Sequence, residues 1–128
     1  MSDYQSYFAQ AQLLLTNPAN ISVCYKACLM TGRALLSTFP KYREAKIMRF
    51  NNLIALYNII RKVVDVTIPM EDIKWLYVQT RHYKYPSSGQ YVDTQYNLQR
   101  AISIADNVFL LITGYLQRLF NDEHLLGD

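Results

Sequence analysis

The sequence predicts an all-α fold, an antiparallel up-and-down bundle of four to five helices. Three observations carry this. Apolar residues recur every three or four positions in segment after segment, the spacing that lines one face of a helix. No stretch alternates apolar and polar residues as a half-buried strand does. The breaks between periodic segments are short and hold proline, asparagine or glycine, so successive helices must fold back on one another. With 128 residues, 51% of them hydrophobic, the chain can bury one cooperative core but is too short for two ordinary domains. A single domain over residues 1–128 is expected.

Ser2 and Gln5 have capping-box spacing, and Tyr4, Phe8, Ala11 and Leu15 follow at helical intervals, giving a first helix over roughly residues 3–16. Asn17 is positioned to cap the second helix, with Pro18 in its first turn. Ile21, Cys24, Cys28, Leu35 and Phe39 mark its apolar face. Gly32 lies close to that face, where a missing side chain lets another helix approach. Phe39-Pro40 ends the helix. The basic segment Lys41 to Arg49 is either a connection or an irregular start to the third helix, whose buried stripe is Leu53, Leu56, Ile60 and Val63. Thr67 can cap the fourth helix, with Pro69 in its first turn and Glu71 and Asp72 at the positive end of its dipole. The fifth helix is expected from about Thr94 to Phe120, with a stripe of Leu98, Ile102, Ala105, Phe109, Ile112, Leu116 and Leu119. Val108, Leu111 and Tyr115 widen that surface, as in a helix with several neighbours or one partly used for dimerisation. The residues from Asn121 onward read as a frayed tail.

Composition narrows the function classes. No uncharged apolar run is long enough to span a bilayer, and MSDYQSYFAQ has neither a basic start nor an apolar signal core, so a cytoplasmic protein without membrane attachment is expected. Asn20-Ile21-Ser22 matches the glycosylation pattern but has no secretory context. Cys24 and Cys28, the only cysteines, share one helix face as small buried groups do, and only His82 and His124 are available to join them. A metal site is not expected. The net charge of +3 is unevenly spread: Lys26 to Arg100 carries 12 basic and 5 acidic residues, whereas the two ends together carry one Arg and five acids. An anionic partner would be drawn to the middle of the chain.

The functional candidates gather in WLYVQTRHYKYPSSGQY, Trp75 to Tyr91. Ile73, Leu76, Tyr77 and Thr80 can be buried while Lys74, Arg81, His82 and Lys84 stay near the surface. Pro86 disfavours helical geometry at Tyr85, and Ser87-Ser88-Gly89 supplies a turn. A helix end carrying Arg, His, Lys and several tyrosines can receive a phosphate and a planar base. On residues alone it reads more readily as an ordinary helix end with half-buried tyrosines. No glycine-rich phosphate loop is present, and Glu71 and Asp72 suit a helix start better than paired acid-base chemistry. No cofactor is implied.

The string TRHYKYP, followed by a polar loop and a long helix beginning near DTQYNLQRAISIADNVF, resembles the signature of HEPN domains, the nucleotide-binding domains of higher eukaryotes and prokaryotes. In that family the common form is a tight Thr-Arg-Tyr-Pro run; here His82, Tyr83 and Lys84 separate Thr80-Arg81 from Tyr85-Pro86. The second helix of the family carries a run matched by Arg33, Ala34 and Leu35, with Gly32 and Leu36 where Glu and Lys are usual. Asn51, Leu53 and Leu56 stand where the family often has His-x-Leu-x-x-Leu. The helix order agrees over nearly the whole chain.

The resemblance implies one of two kinds of protein. A non-catalytic member, of the sacsin-like or nucleotidyltransferase-associated type, would bind a nucleotide or RNA through Arg81, His82, Tyr83, Lys84 and Tyr85 and pair as a homodimer. Its partners would then be a small nucleotidyltransferase, as in toxin-antitoxin modules, or a chaperone-like protein. The alternatives are a toxin-like ribonuclease using Arg118 and His124, which have five residues between them, and a purely structural interaction domain. The apolar Leu119 after Arg118 and the place of His124 in the expected frayed tail favour the non-catalytic reading, and the departures at Gly32 and Leu36 imply weak nucleotide affinity.

Overall fold

A computed structural model describes residues 4–42, 44–47, 49–84 and 95–127, without the side chains of residues 44, 45, 82–84 and 122–127. Its elements are α1 (Tyr4–Thr16), α2 (Ile21–Leu36), the single turn α3 (Glu44–Ile47), α4 (Leu53–Val63), α5 (Met70–Lys84) and α6 (Gln95–Gly127). Described residues form helices and connections, with no strand among them. The fold class is the all-α antiparallel bundle that the periodicity predicts.

The bundle is built around α2, which packs against α1, α4, α5 and α6. Only its first turns keep an exposed side. From Ala27 to Leu36 every residue is buried, including Thr31 and Arg33. Thr31 disposes of its hydroxyl within the helix by donating to the Ala27 carbonyl at 2.8 Å. Cys24 and Cys28 are fully buried free thiols in the core, as their shared face predicts. Gly32 is where α4 comes closest. A Cβ there would stand 2.6 Å from Leu56 Cδ2 and 3.1 Å from Ile60 Cδ1, both on fully buried side chains. The glycine is thus required by the packing and not by its backbone angles.

Helix starts differ from the sequence expectation in two places. α2 begins at Ile21 with Asn20 as its cap: Asn20 Oδ1 accepts from the Val23 N–H at 3.0 Å. Asn17 and Pro18 remain in the connection. Capping at Asn20 puts the fully buried Ile21 directly at the helix start and adds no exposed turn. Likewise α5 begins at Met70, beyond Pro69, and Thr67 lies too far upstream to cap it. The intervening Ile68 is buried in the core, which holds the chain out of helix until it has passed. The acidic first turn, Glu71 and Asp72, is as expected.

The segment before α4 is a connection that holds one helical turn. Ile47 and Tyr42 anchor it in the core, Tyr42 meets Phe50 edge-on at 6.3 Å, and Lys41 and Lys46 lie over the Tyr42 ring at 5.6 and 5.3 Å. On α4, Leu53, Leu56 and Ile60 are buried as expected, and the fully buried Tyr57 joins them by donating its hydroxyl to the Cys28 carbonyl at 2.7 Å.

α6 is longer than predicted, continuing through residues 121–127. Its buried line is Ala101, Ile104, Ala105, Val108, Ile112 and Leu116, so the stripe is rotated from the predicted one. Leu98, Ile102, Phe109 and Leu119 flank it, half-buried. Small side chains at Ala101 and Ala105 occupy the line of closest approach, and the bulky residues take the sides where there is room. Phe109 meets Phe8 of α1 edge-on at 5.9 Å. At the other end, Arg100 lies 4.3 Å from the Trp75 ring and 4.0 Å from Asp72, linking α6 to α5.

Gly32→Ala is expected to lower stability by about 1 kcal/mol: helix propensity gains about 1 kcal/mol, but overpacking costs roughly 1–3 kcal/mol. In a Leu56→Ala background the same change should become neutral or stabilising, which a double-mutant cycle in urea would measure. Ile112→Ala and Leu116→Ala should each cost about 2–5 kcal/mol, and the half-buried Phe109 less.

Candidate functional site

The junction between the connection and α4 is the centre of a polar cluster. Asn52 caps α4, its Oδ1 accepting from the Ile54 and Ala55 N–H groups at 2.9 and 3.2 Å. The next free N–H, of Leu53, is met by a residue from another helix: Tyr25 Oη accepts it at 3.1 Å and donates to the Asn51 carbonyl at 2.7 Å. Beneath this, Arg33 Nη2 donates to Asn51 Oδ1 at 2.7 Å and to the Phe50 carbonyl at 3.4 Å. A buried guanidinium therefore anchors the loop from which α4 starts.

Arg33 is donor-only, so the oxygen of the Asn51 amide must turn toward it and the Nδ2 donor must turn away. Asn51 is exposed and borders a cavity of about 140 Å³ that Tyr25, Tyr77, Thr80 and Arg81 also line. Arg81, from the last turns of α5, is exposed at this cavity, and its Nη1 donates to Tyr77 Oη at 3.2 Å. Thr80 is buried with its hydroxyl on the Leu76 carbonyl at 2.8 Å. A second cavity of about 360 Å³, lined by Ser22, Tyr25, Lys26, Leu29 and Asn51, shares Tyr25 and Asn51 with the first.

Of the residues singled out from sequence, Arg81 falls in this cluster. His82, Tyr83 and Lys84 complete the last turn of α5, and their side chains, like all of Tyr85, lie outside the described residues. Arg118 is exposed on α6, and the backbone of His124 continues the same helix. Six positions apart on one helix they are turned by about 240°, roughly 9 Å along the axis, so one chain does not bring them to the same face. Among the described residues no three His, Cys, Asp or Glu side chains group closely enough for a metal ion.

Tyr25, Tyr77 and Lys26 were missed by sequence reasoning as site residues. The signal available was weak: a tyrosine and a lysine in the exposed first turns of an otherwise buried helix. Arg33 fits the family pattern and Asn51 departs from it, standing where His is usual, and their contact spans 18 positions.

Electrostatics limit what the cluster can do. Burial lowers the Arg33 pKa below its ordinary value, a change that the nearby Tyr7 and Tyr25 oppose. Burial raises the Tyr25 pKa above 10.0, with the Leu53 N–H opposing it. Tyr25 is thus a neutral structural hydroxyl at physiological pH and no general base. The Cys28 thiol is driven upward by burial, then by Cys24 and Asp106, and the Tyr57 phenol by burial, then by Cys28. The cluster presents an exposed guanidinium, an amide donor and aromatic walls around two small cavities.

Comparison of the chain with family models, with curated proteins and with solved structures gives no match. Among the described residues, no helix is long and apolar enough to cross a membrane.

The raised pKa values set an alkaline limit. A thiol or phenol whose folded pKa exceeds its unfolded value contributes stability below the unfolded pKa that is lost as pH rises toward the folded one. With unfolded values near 9.0 for Cys28 and 10.0 for Tyr25 and Tyr57, the urea midpoint should be flat below pH 8 and fall from about pH 9. At pH 8 both thiols should resist a disulfide reagent in the native protein and react on unfolding.

Proposed function

We propose that this protein is a non-catalytic HEPN-type module that binds a nucleotide or a similar phosphate-bearing anion and pairs with a second copy of itself. The observation that carries the reading is the exposed Arg81 guanidinium, held by Tyr77 at the mouth of a cavity walled by Tyr25 and Asn51. A guanidinium fixed by one hydrogen bond still presents its other donors to a phosphate, and Tyr77 and Tyr25 give the cavity aromatic edges. Lys84, three positions on in the sequence, would supply a second cation, together with His82 and with Tyr83 or Tyr85 as the base-stacking faces. The family resemblance supports the same reading, because Thr80 and Arg81, which carry it on α5, line this cleft together with Asn51, the residue that stands where the family often has His. A cytoplasmic setting and a nucleotidyltransferase or chaperone-like partner belong to the same proposal.

Pairing is supported by the α1 and α6 face. Leu13 and Leu110 are 73% and 66% exposed. Between the two helices lie mainly apolar hollows of about 340 Å³ beside Leu15 and Phe109 and about 220 Å³ beside Phe8 and Phe120. Exposed leucines beside such hollows are suited to a self-complementary interface.

Calorimetry with adenosine and guanosine 5′-monophosphates should show weak binding that Arg81→Ala with Lys84→Ala abolishes; no binding, or binding unchanged in that variant, overturns the reading. RNA cleavage lost in His124→Ala with the fold intact would promote the ribonuclease instead. Sedimentation at micromolar concentration should give a dimer that Leu110→Glu converts to a folded monomer. A wild-type monomer removes the pairing.

A further inference from the structure

The second cavity, at Ser22, Tyr25, Lys26, Leu29 and Asn51, plays no part in the function proposed above. It is the larger of the two, about 360 Å³ against about 140 Å³, and falls within the size range of small-molecule sites. Its chemistry differs from that of the first. Leu29 is 8% exposed and provides an apolar floor. Ser22 and Lys26 are four residues apart on α2, so their side chains share one helix face, and Lys26 is exposed. Tyr25 and Asn51 form the wall common to both cavities.

That common wall is fixed. The Tyr25 hydroxyl is committed to Asn51 and Leu53, and the Asn51 oxygen is committed to Arg33. What the wall can offer a ligand is the Tyr25 ring and the Asn51 Nδ2 donor, which suits a planar group with an acceptor on its edge. Each cavity has one cation in its lining, Arg81 in the smaller and Lys26 in the larger. A mononucleotide has one phosphate site and would leave one of these cations unused.

Building on the nucleotide reading, we propose that the Lys26 cavity is a second phosphate subsite, and that the ligand carries two phosphates separated by one nucleoside. The linking phosphate sits at Arg81. The nucleoside between the phosphates lies on Leu29 and Tyr25 with its acceptor edge on Asn51 Nδ2, and the outer phosphate meets Lys26 and Ser22. A 5′-phosphorylated dinucleotide has this chemistry, either free or as a stretch of a longer strand.

The test is calorimetry with the diadenosine dinucleotide ApA, its 5′-phosphorylated form pApA, and a 5′-phosphorylated adenylate tetramer. pApA should bind about tenfold more tightly than ApA, the size of one charge-assisted contact. Lys26→Ala, a surface change, should erase that difference while leaving ApA affinity within about twofold, and Lys26→Arg should keep it. Tighter binding of the tetramer than of pApA would assign the site to a longer strand; equal binding would assign it to the free dinucleotide. Equal affinity for ApA and pApA, or a difference that survives Lys26→Ala, overturns the second subsite and leaves the nucleotide site standing. Failure of all three probes and of the monophosphates overturns both.

Discussion

A helix buried on every side must dispose of each polar group it carries, and α2 carries a guanidinium. Arg33 has neighbours from other helices all around it and is 3% exposed. Removing a charge from water is costly unless hydrogen bonds replace the solvent. The loop before α4 supplies them, through the Asn51 side chain and the Phe50 carbonyl. The same loop takes the Tyr25 hydroxyl, which in turn caps the first N–H of α4. One charge thereby fixes where α4 begins, and Asn52, the residue after Asn51, caps its first turn.

From that junction the packing follows. With α4 held at its start by Arg33 and Tyr25, Leu56 and Ile60 come down on Gly32, where no side chain stands in the way. Tyr57, on the neighbouring face, reaches the Cys28 carbonyl. The α2–α4 contact thus combines apolar packing with polar bonds at both ends, so that sliding one helix along the other would break several at once. α5 completes the arrangement by burying Ile73, Leu76 and Thr80 while leaving Arg81 at the rim. The cleft therefore exists because a loop anchored by a buried charge cannot collapse onto the helix beside it.

Within the cluster, side chains that hold the loop stand beside exposed ones that the proposed binding would use. The Tyr25 hydroxyl and Arg33 Nη2 are engaged in holding the loop, and burial raises the Tyr25 pKa and lowers that of Arg33. Arg81 and Lys26 are exposed, so they can exchange water for a ligand at little cost to the fold. Asn51 belongs to both groups: its oxygen is structural and its nitrogen remains a donor. Placing recognition groups on a rim supported by an engaged inner layer is the arrangement that holds a binding site in shape before the ligand arrives.

The sequence by itself determined the helical class, the order and approximate extent of the helices, the burial of Cys24 and Cys28, and the close approach at Gly32. These follow from local quantities: apolar spacing at the helical period, the positions of breakers, and the one residue that lacks a side chain on an apolar face. It also marked Arg81 as an exposed cation at the end of α5. The tertiary structure decided the rest. Asn20 capped α2 in place of Asn17 because Ile21 had to enter the core at once, and α5 waited for Ile68 to be buried. The buried line of α6 turned toward Ala101 and Ala105, since the width available between helices is a property of the partner and not of the helix's own pattern. Arg33 and Asn51, 18 positions apart, became a pair, and Tyr25, Lys26 and Arg81 came to border one cleft. Periodicity tells which face of a helix is apolar; which polar residues of different helices meet depends on how those faces are rotated and stacked, and that is fixed only when the core is packed.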